Sequence, residues 1–215
     1  MMSKSIRISE IFYSLQGESD SVGWPTIFIR LTGCPLRCVW CDTEYAFHGG
    51  ERQSIEHIIT HIKQWQTRFV TVTGGEPLAQ PACLELLSTL ADQGYQVSLE
   101  TSGAMDMANV DARVIKVMDI KPPASGEAAR NRYDNIDYLT AKDQVKFVIA
   151  DDEDYAWSKQ IVERYNLAER CQVLFSPVMG KMSPTRLADK ILQHQLPVRF
   201  QLQLHKTLWA DAQGK

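Results

Sequence analysis

Residues 34–43 read Cys34-Pro35-Leu36-Arg37-Cys38-Val39-Trp40-Cys41-Asp42-Thr43. They hold three of the five cysteines in a C-x3-C-x2-C pattern. The β-branched run at 26–32 (TIFIRLT) predicts a strand that gives way to a loop at this point. The spacing brings three thiols to one place, and three readings follow. A zinc site usually closes with four protein ligands in a tetrahedron, for which His48 is the nearest fourth candidate. A cubane iron–sulfur cluster also usually takes four cysteines, so three would leave one iron open to a non-protein ligand. The third reading is a set of buried, reduced core cysteines.

The chain has 215 residues, 44% hydrophobic and 23% charged, with a formal net charge of −3. Typical domains run to ~100–200 residues, so 1–215 is expected to form one domain, with 205–215 as a C-terminal tail. The near-neutral balance gives no whole-protein attraction to nucleic acid or anionic lipid, so neither is an expected direct partner. Residues 1–7 lack the apolar core of a signal peptide, and no stretch approaches the ~18 apolar residues of a membrane span. A cytoplasmic location is therefore expected. The odd cysteine count argues against a disulfide framework and leaves Cys83 and Cys171 as small core residues.

Outward from the cysteine loop, the same design recurs. Residues 69–73 form a β-rich run ending in Gly74-Gly75-Glu76-Pro77, about thirty residues after the cysteines. The glycines would let the backbone approach a ligand closely, and Glu76 could accept hydrogen bonds from an ammonium group. A helix over 82–93 ends at Gly94, and the apolar run from 97 ends in Glu100-Thr101-Ser102-Gly103. Residues 114–121 repeat the pattern, with Asp119, Ile120 and Lys121 before Pro122 and Pro123. Strands are predicted at 144–149, 172–177 and 198–204, and helices at 152–165 and from Ser183 and Pro184 to 195. Repeated strand–loop–helix units argue for a parallel β/α fold whose ligands gather at the carboxyl ends of the strands.

Other stretches read less specifically. Alternation over 6–12 predicts a first strand, followed by a polar loop at 14–23 that the bare residues describe as a solvated turn. Arg30 could lie on a solvated strand face or hold a carboxylate through paired charge-assisted hydrogen bonds. Residues 45–52 are turn-like, and Ser54 is a plausible N-cap for a helix reaching about 67. His57 and His61 lie four apart on that helix without further ligands, which favours surface or packing roles. Residues 124–142 could be a helix-containing loop or a mobile cover. Lys146 could face a cavity or be solvated.

Two motifs carry a family resemblance. C-x3-C-x2-C is the cluster motif of the radical S-adenosylmethionine (SAM) enzymes, and Thr73-Gly74-Gly75-Glu76-Pro77 is similar to their SAM-binding GGEP motif. Within that superfamily, Ser14-Leu15-Gln16-Gly17-Glu18-Ser19, Arg30-Leu31-Thr32-Gly33-Cys34 and Cys41-Asp42-Thr43 resemble the 7-carboxy-7-deazaguanine synthase family of queuosine and 7-deazapurine biosynthesis. The resemblance extends over nearly the whole chain.

It implies an open partial (β/α)6 barrel in the α/β class, a 4Fe-4S cluster on Cys34, Cys38 and Cys41, and Mg2+ at Thr43. The bare sequence reads Thr43 only as a loop-capping hydroxyl. The resemblance places SAM against Trp40, Cys41, Asp42, Gly75, Glu76, Ser102, Asp119, Ile120, Lys121 and Ser176. The substrate, 6-carboxy-5,6,7,8-tetrahydropterin, would meet Leu15, Gln16, Gly17, Arg30 and Thr73. The implied reaction is radical ring contraction with loss of ammonia, giving 7-carboxy-7-deazaguanine. The radical comes from reductive cleavage of SAM, so no side chain is expected to be catalytic. Implied partners are a second copy of the chain and a flavodoxin or ferredoxin as electron donor. The alternatives are a radical SAM activase acting on a partner protein and a non-catalytic zinc module.

Overall fold

Strands of the predicted units alternate apolar and polar residues, and a strand turns successive side chains to opposite faces. The computed structural model, which describes residues 5–210 and 212–214, shows what that alternation builds. Among the described residues, nine strands form one open mixed sheet in the order β3-β1-β2-β4-β5-β6-β7-β8-β9. These are β1 (Ser5–Leu15), β2 (Pro25–Leu31), β3 (Glu51–Ser54), β4 (Phe69–Gly74), β5 (Gln96–Thr101), β6 (Ile115–Asp119), β7 (Gln144–Ile149), β8 (Gln172–Pro177) and β9 (Arg199–Phe200). From β2 through β9 every neighbouring pair is parallel. The fold is the α/β open partial barrel expected.

Helices cover one face. α1 (Ile55–Ile62) and α2 (Cys83–Asp92) pack on the first half of the sheet. Their Ile58, Ile62, Leu86 and Leu90 meet Ile27, Ile29, Val70, Val72, Val97 and Leu99 from the strands. α3 (Asp152–Arg164), α4 (Leu167–Arg170) and α5 (Pro184–Gln193) cover the second half, over Val145, Phe147, Val173 and Phe175. Cys83 and Cys171 lie in these two cores, as their small apolar character required. The alternate residues of the same strands face the other way: Phe28 and Arg30, Thr71 and Thr73, Ser98 and Glu100, Val117 and Asp119, Lys146 and Val148. That inner face is mostly polar.

Helix starts follow their caps. The hydroxyl of Ser54 accepts a hydrogen bond from the His57 N–H at 3.1 Å, and the carboxylate of Asp151 accepts one from the Asp154 N–H at 2.8 Å. α1 stops short of the expected 67, because Trp65 leaves the helix to stack on Tyr13 of β1, with ring centroids 5.9 Å apart. His57 and His61 remain on its surface, with His61 edge-on to Trp65.

Three expectations need correction. The first strand is longer than 6–12 and antiparallel to β2, with an irregularity between Ile8 and Glu10. The turn-like 45–52 contains a 3-10 helix (Glu44–Phe47) and leads into β3, which pairs with β1 at the sheet edge. Residues 124–142 take the first of their two expected forms, a helix-containing loop, with 3-10 helices at Pro123–Ser125, Ala128–Arg130 and Tyr133–Tyr138. Two asparagines staple them. Asn131 exchanges hydrogen bonds with the Lys121 backbone, and the buried Asn135 binds Met107 N–H and the Gly103 and Met105 carbonyls. Finally, the strand expected at 198–204 ends after two residues, and part of the 205–215 tail is helical, in α6 (Leu204–Trp209). Residues 211 and 215 of that tail, like 1–4, lie outside the described residues.

Behind the sheet, Asp143 is fully buried and accepts from the Lys116 N–H at 2.7 Å, the Lys116 ammonium at 3.0 Å and the Thr140 N–H at 2.8 Å. Breaking a buried pair on one side leaves the other charge uncompensated. Asp143→Ala is expected to cost about 3–5 kcal/mol of stability, read as a lower denaturant midpoint at unchanged m-value.

Candidate functional site

The polar inner face and the loops at the carboxyl ends of the parallel strands enclose a cavity of about 310 Å³. That falls at the lower end of the ~300–1,000 Å³ typical of small-molecule sites. Cys34, Cys38 and Cys41 all line it, each partly exposed. Burial pushes the thiols of Cys34 and Cys38 up, that of Cys38 to about 11. Metal binding at these sulfurs would therefore displace protons.

The cysteine loop is held from three sides. The Gly33 N–H donates to the Ala46 carbonyl at 2.8 Å, the Val39 N–H to the Ser125 carbonyl at 3.0 Å, and Arg37 Nη1 to the Cys34 and Leu36 carbonyls. Among the described residues, no three His, Cys, Asp or Glu side chains converge on a common point as a single-ion site requires. A cubane makes a different demand, since each thiolate binds a separate iron. His48, the fourth-ligand candidate for zinc, is exposed and is not among the residues lining the cavity.

The Gly74–Gly75 turn reaches the cavity by backbone. A Cβ on Gly75 would collide with the Gly33 carbonyl oxygen and lie 2.7 Å from Cys34 Cβ. Glycine is thus required for this loop to lie against the cysteine loop. Glu76 behaves differently from expectation. Its carboxylate is fully buried and accepts from Leu78 N–H (2.9 Å), Thr101 Oγ1 (2.9 Å), Ser102 N–H (2.7 Å) and Ser102 Oγ (2.5 Å). It ties the loop after β4 to the end of β5 and is not among the cavity-lining residues. Gly75→Ala is expected to displace the cysteine loop and lower iron retained after reconstitution by about 10-fold, a loss of affinity worth about 1.4 kcal/mol, measured as iron per chain.

The other expected residues divide cleanly. Leu15, Gln16, Gly17, Arg30, Trp40, Asp42, Thr43, Thr73, Ser102, Asp119 and Lys121 line the cavity with the cysteines and Gly75. Ile120 does not, because it follows Asp119 and turns outward into the core. Ser176 is fully buried beside Val148, and its hydroxyl has no hydrogen-bond partner. Arg30 is held by Glu10 of β1, with Nε 2.6 Å from Oε1, and Tyr45 donates to the same oxygen at 2.8 Å. The Thr43 hydroxyl lies 3.8 Å from Cys41 Sγ.

Several lining residues have no site role assigned from sequence: Glu18, Glu100, Gln203, His205 and Lys206; Lys146, read as facing either a cavity or solvent, faces the cavity. Glu100 and Lys146 sit at inward positions of β5 and β7, which period two makes visible in retrospect. The Glu100 carboxyl accepts from Thr73 Oγ1 at 2.9 Å and from Gln16 Nε2 at 3.2 Å, while burial and the charge of Glu18 push its pKa up. Gln203 and His205 arrive from the end of the stretch expected to be a strand and from the tail after it, neither of which carries a site signal in the sequence. The Leu204 N–H donates to the Gly17 carbonyl at 3.0 Å, and a Cβ on Gly17 would collide with the His205 ring.

Glu18 is the most strongly held acid of the site. Burial works against its charge, but Lys146 at 2.5 Å and Gln203 at 2.6 Å outweigh it and hold the carboxyl down to about 2. A depressed carboxyl stabilises the fold above its unfolded pKa of 4.5 and loses that contribution as pH falls through about 2. Glu18→Gln is therefore expected to be less stable than the parent at pH 7. The gap should narrow as pH drops below 4.5, read from urea midpoints across that range.

The comparisons with known proteins agree with this geometry. Residues 28–121 match the Radical SAM superfamily model. The chain is 42% identical to 7-carboxy-7-deazaguanine synthase of Chlorobaculum tepidum, over 97% of each chain. It is also 42% identical to the synthase of Koribacter versatilis, over 95% of this chain and 97% of that one. Among solved structures, QueE from Escherichia coli superimposes with a TM-score of 0.72 over 94% of this chain and 95% of that one. At 22% identity, that likeness is one of fold.

Proposed function

This chain belongs to the 7-carboxy-7-deazaguanine synthase family of radical SAM enzymes, and from that premise we propose that it converts 6-carboxy-5,6,7,8-tetrahydropterin to 7-carboxy-7-deazaguanine with loss of ammonia. The family implies a 4Fe-4S cluster and SAM. One observation carries the reading: a single cavity is lined by the three cysteines, the Gly74–Gly75 backbone and Arg30. When bound, the cluster and SAM supply the radical that abstracts hydrogen from the substrate.

The protein's own residues bind and orient. In this reading Cys34, Cys38 and Cys41 hold the cluster, and the unpaired carboxylate oxygen Oδ1 of the cavity-lining Asp119 is an acceptor suited to a polar cofactor. Trp40, Asp42, Gly75, Ser102 and Lys121 complete the SAM side. Glu76 acts there through the loop it anchors. Leu15, Gln16, Gly17 and Thr73 face the pterin, and Arg30 takes its carboxylate by charge-assisted hydrogen bonds. Thr43 offers Mg2+ a hard oxygen beside waters and substrate oxygens.

The reading includes a cytoplasmic homodimer served by a flavodoxin or ferredoxin. Among the described residues, no helix is long and apolar enough to cross a membrane. Val39, between Cys38 and Trp40, is 64% exposed and gives an electron donor a short approach to the cysteines.

Anaerobically reconstituted protein given SAM, Mg2+, reductant and carboxytetrahydropterin is expected to yield 7-carboxy-7-deazaguanine by mass spectrometry, with one ammonia released per product. A colourless zinc protein, or a brown one without the deazaguanine product, would overturn the proposal. Arg30→Ala should raise the KM for the pterin about 10- to 100-fold, while the visible spectrum of the cluster stays unchanged.

A further inference from the structure

Lys146 stands between the two halves of the cavity. It projects from the inner face of β7, in register with Asp119 on β6. Its ammonium lies 2.5 Å from Glu18 Oε2, on the loop that follows β1, and 3.6 Å from Asp119 Oδ2. The same Asp119 oxygen is 3.0 Å from the Lys121 ammonium, and the other Glu18 oxygen accepts from Gln203 at 2.6 Å. One cation thus bridges two acids from opposite walls, in a run Gln203–Glu18–Lys146–Asp119–Lys121.

A purely structural ion pair is the simpler account of a lysine beside a carboxylate. It does not explain this arrangement. The side chains of Lys146, Glu18 and Asp119 are 13%, 9% and 15% exposed, so each charge is largely withdrawn from water, yet all three line the cavity rather than the core. Desolvating charges is costly, and a pair meant only for stability is often replaced without loss by apolar residues. Asp119 also keeps its Oδ1 buried without a partner, an acceptor directed at something other than Lys146.

We propose that Lys146 is a positioning residue that couples the pterin side of the site, through Glu18, to the SAM side, through Asp119. The inference rests on the function proposed above. A ligand that orders either carboxylate fixes the shared ammonium and so preorganises the other, which makes the two ligands bind cooperatively and reciprocally.

The test is calorimetric titration of the cluster-loaded protein with SAM, with and without unreactive 6-carboxypterin, and the reverse titration. In the parent, each ligand should tighten the other about 5-fold or more. Lys146→Met should bring that factor to about 1 with the iron content and visible spectrum unchanged, and Lys146→Arg should restore part of it. Glu18→Gln reaches the same link from the other acid and decides the matter if Lys146→Met does not fold. Retained coupling in either Lys146→Met or Glu18→Gln overturns the proposal, as does its absence from the parent. Turnover of the parent to 7-carboxy-7-deazaguanine, followed in the same preparation, separates that result from failure of the functional reading.

Discussion

The sheet has two faces with opposite requirements, and the molecule is organised by the need to satisfy both. Buried parallel strands usually read as continuous apolar runs, because helices cover both faces. Here they alternate: Ile27, Ile29, Val70, Val72, Val97 and Leu99 meet helices, while Arg30, Thr73, Glu100, Asp119 and Lys146 turn inward. Polar groups withdrawn from water need partners. The inner residues therefore bind one another in a continuous set: Gln16 to Thr71 and Glu100, Thr73 to Glu100, the Glu18 N–H to Gln16 Oε1, Glu18 to Lys146 and Lys146 to Asp119. A polar, preorganised cavity is what remains when a barrel leaves one face open in this way.

The loops at the strand ends depend on that base. Glu76 is the clearest case, because its acidity serves architecture. By accepting from Thr101 and Ser102 it fixes one loop to the next strand and leaves Gly75 against Cys34. A glycine is needed where two backbones touch, and a carboxylate is needed where several donors converge. The motif therefore combines a ligand-approach element with a structural anchor.

Much of this was legible in the sequence because the responsible residues act locally. The C-x3-C-x2-C loop, the Gly74–Gly75 turn, the cap at Ser54 and the strand periodicity each follow from spacing alone. Direction within a loop was not legible. Nothing in the order Gly-Gly-Glu-Pro tells that the carboxylate turns away from the cavity, since partners at the end of β5 lie about 25 residues away. Lys146 stayed ambiguous until its register with Asp119 was known. The same limit applies to 124–142, whose asparagines bind backbone groups 10 to 32 residues distant. It is strongest for 201–205, whose role depends on residues 16–19.

That last pairing has a consequence for biosynthesis. Gln201 exchanges hydrogen bonds with the Ser19 backbone at 2.7 and 2.8 Å, across 182 positions of sequence, and Gln203 and Leu204 reach Glu18 and Gly17. A ribosome adds roughly 5–20 residues per second, so the loop at 16–19 waits on the order of 10 seconds or more for the segment that seats against it. During that interval the cysteine loop and strands up to β8 can be complete while this wall of the cavity is still missing. The nascent chain thus passes through a stage in which the thiols of Cys34, Cys38 and Cys41 are made before the wall of the cavity formed by 201–205 is in place.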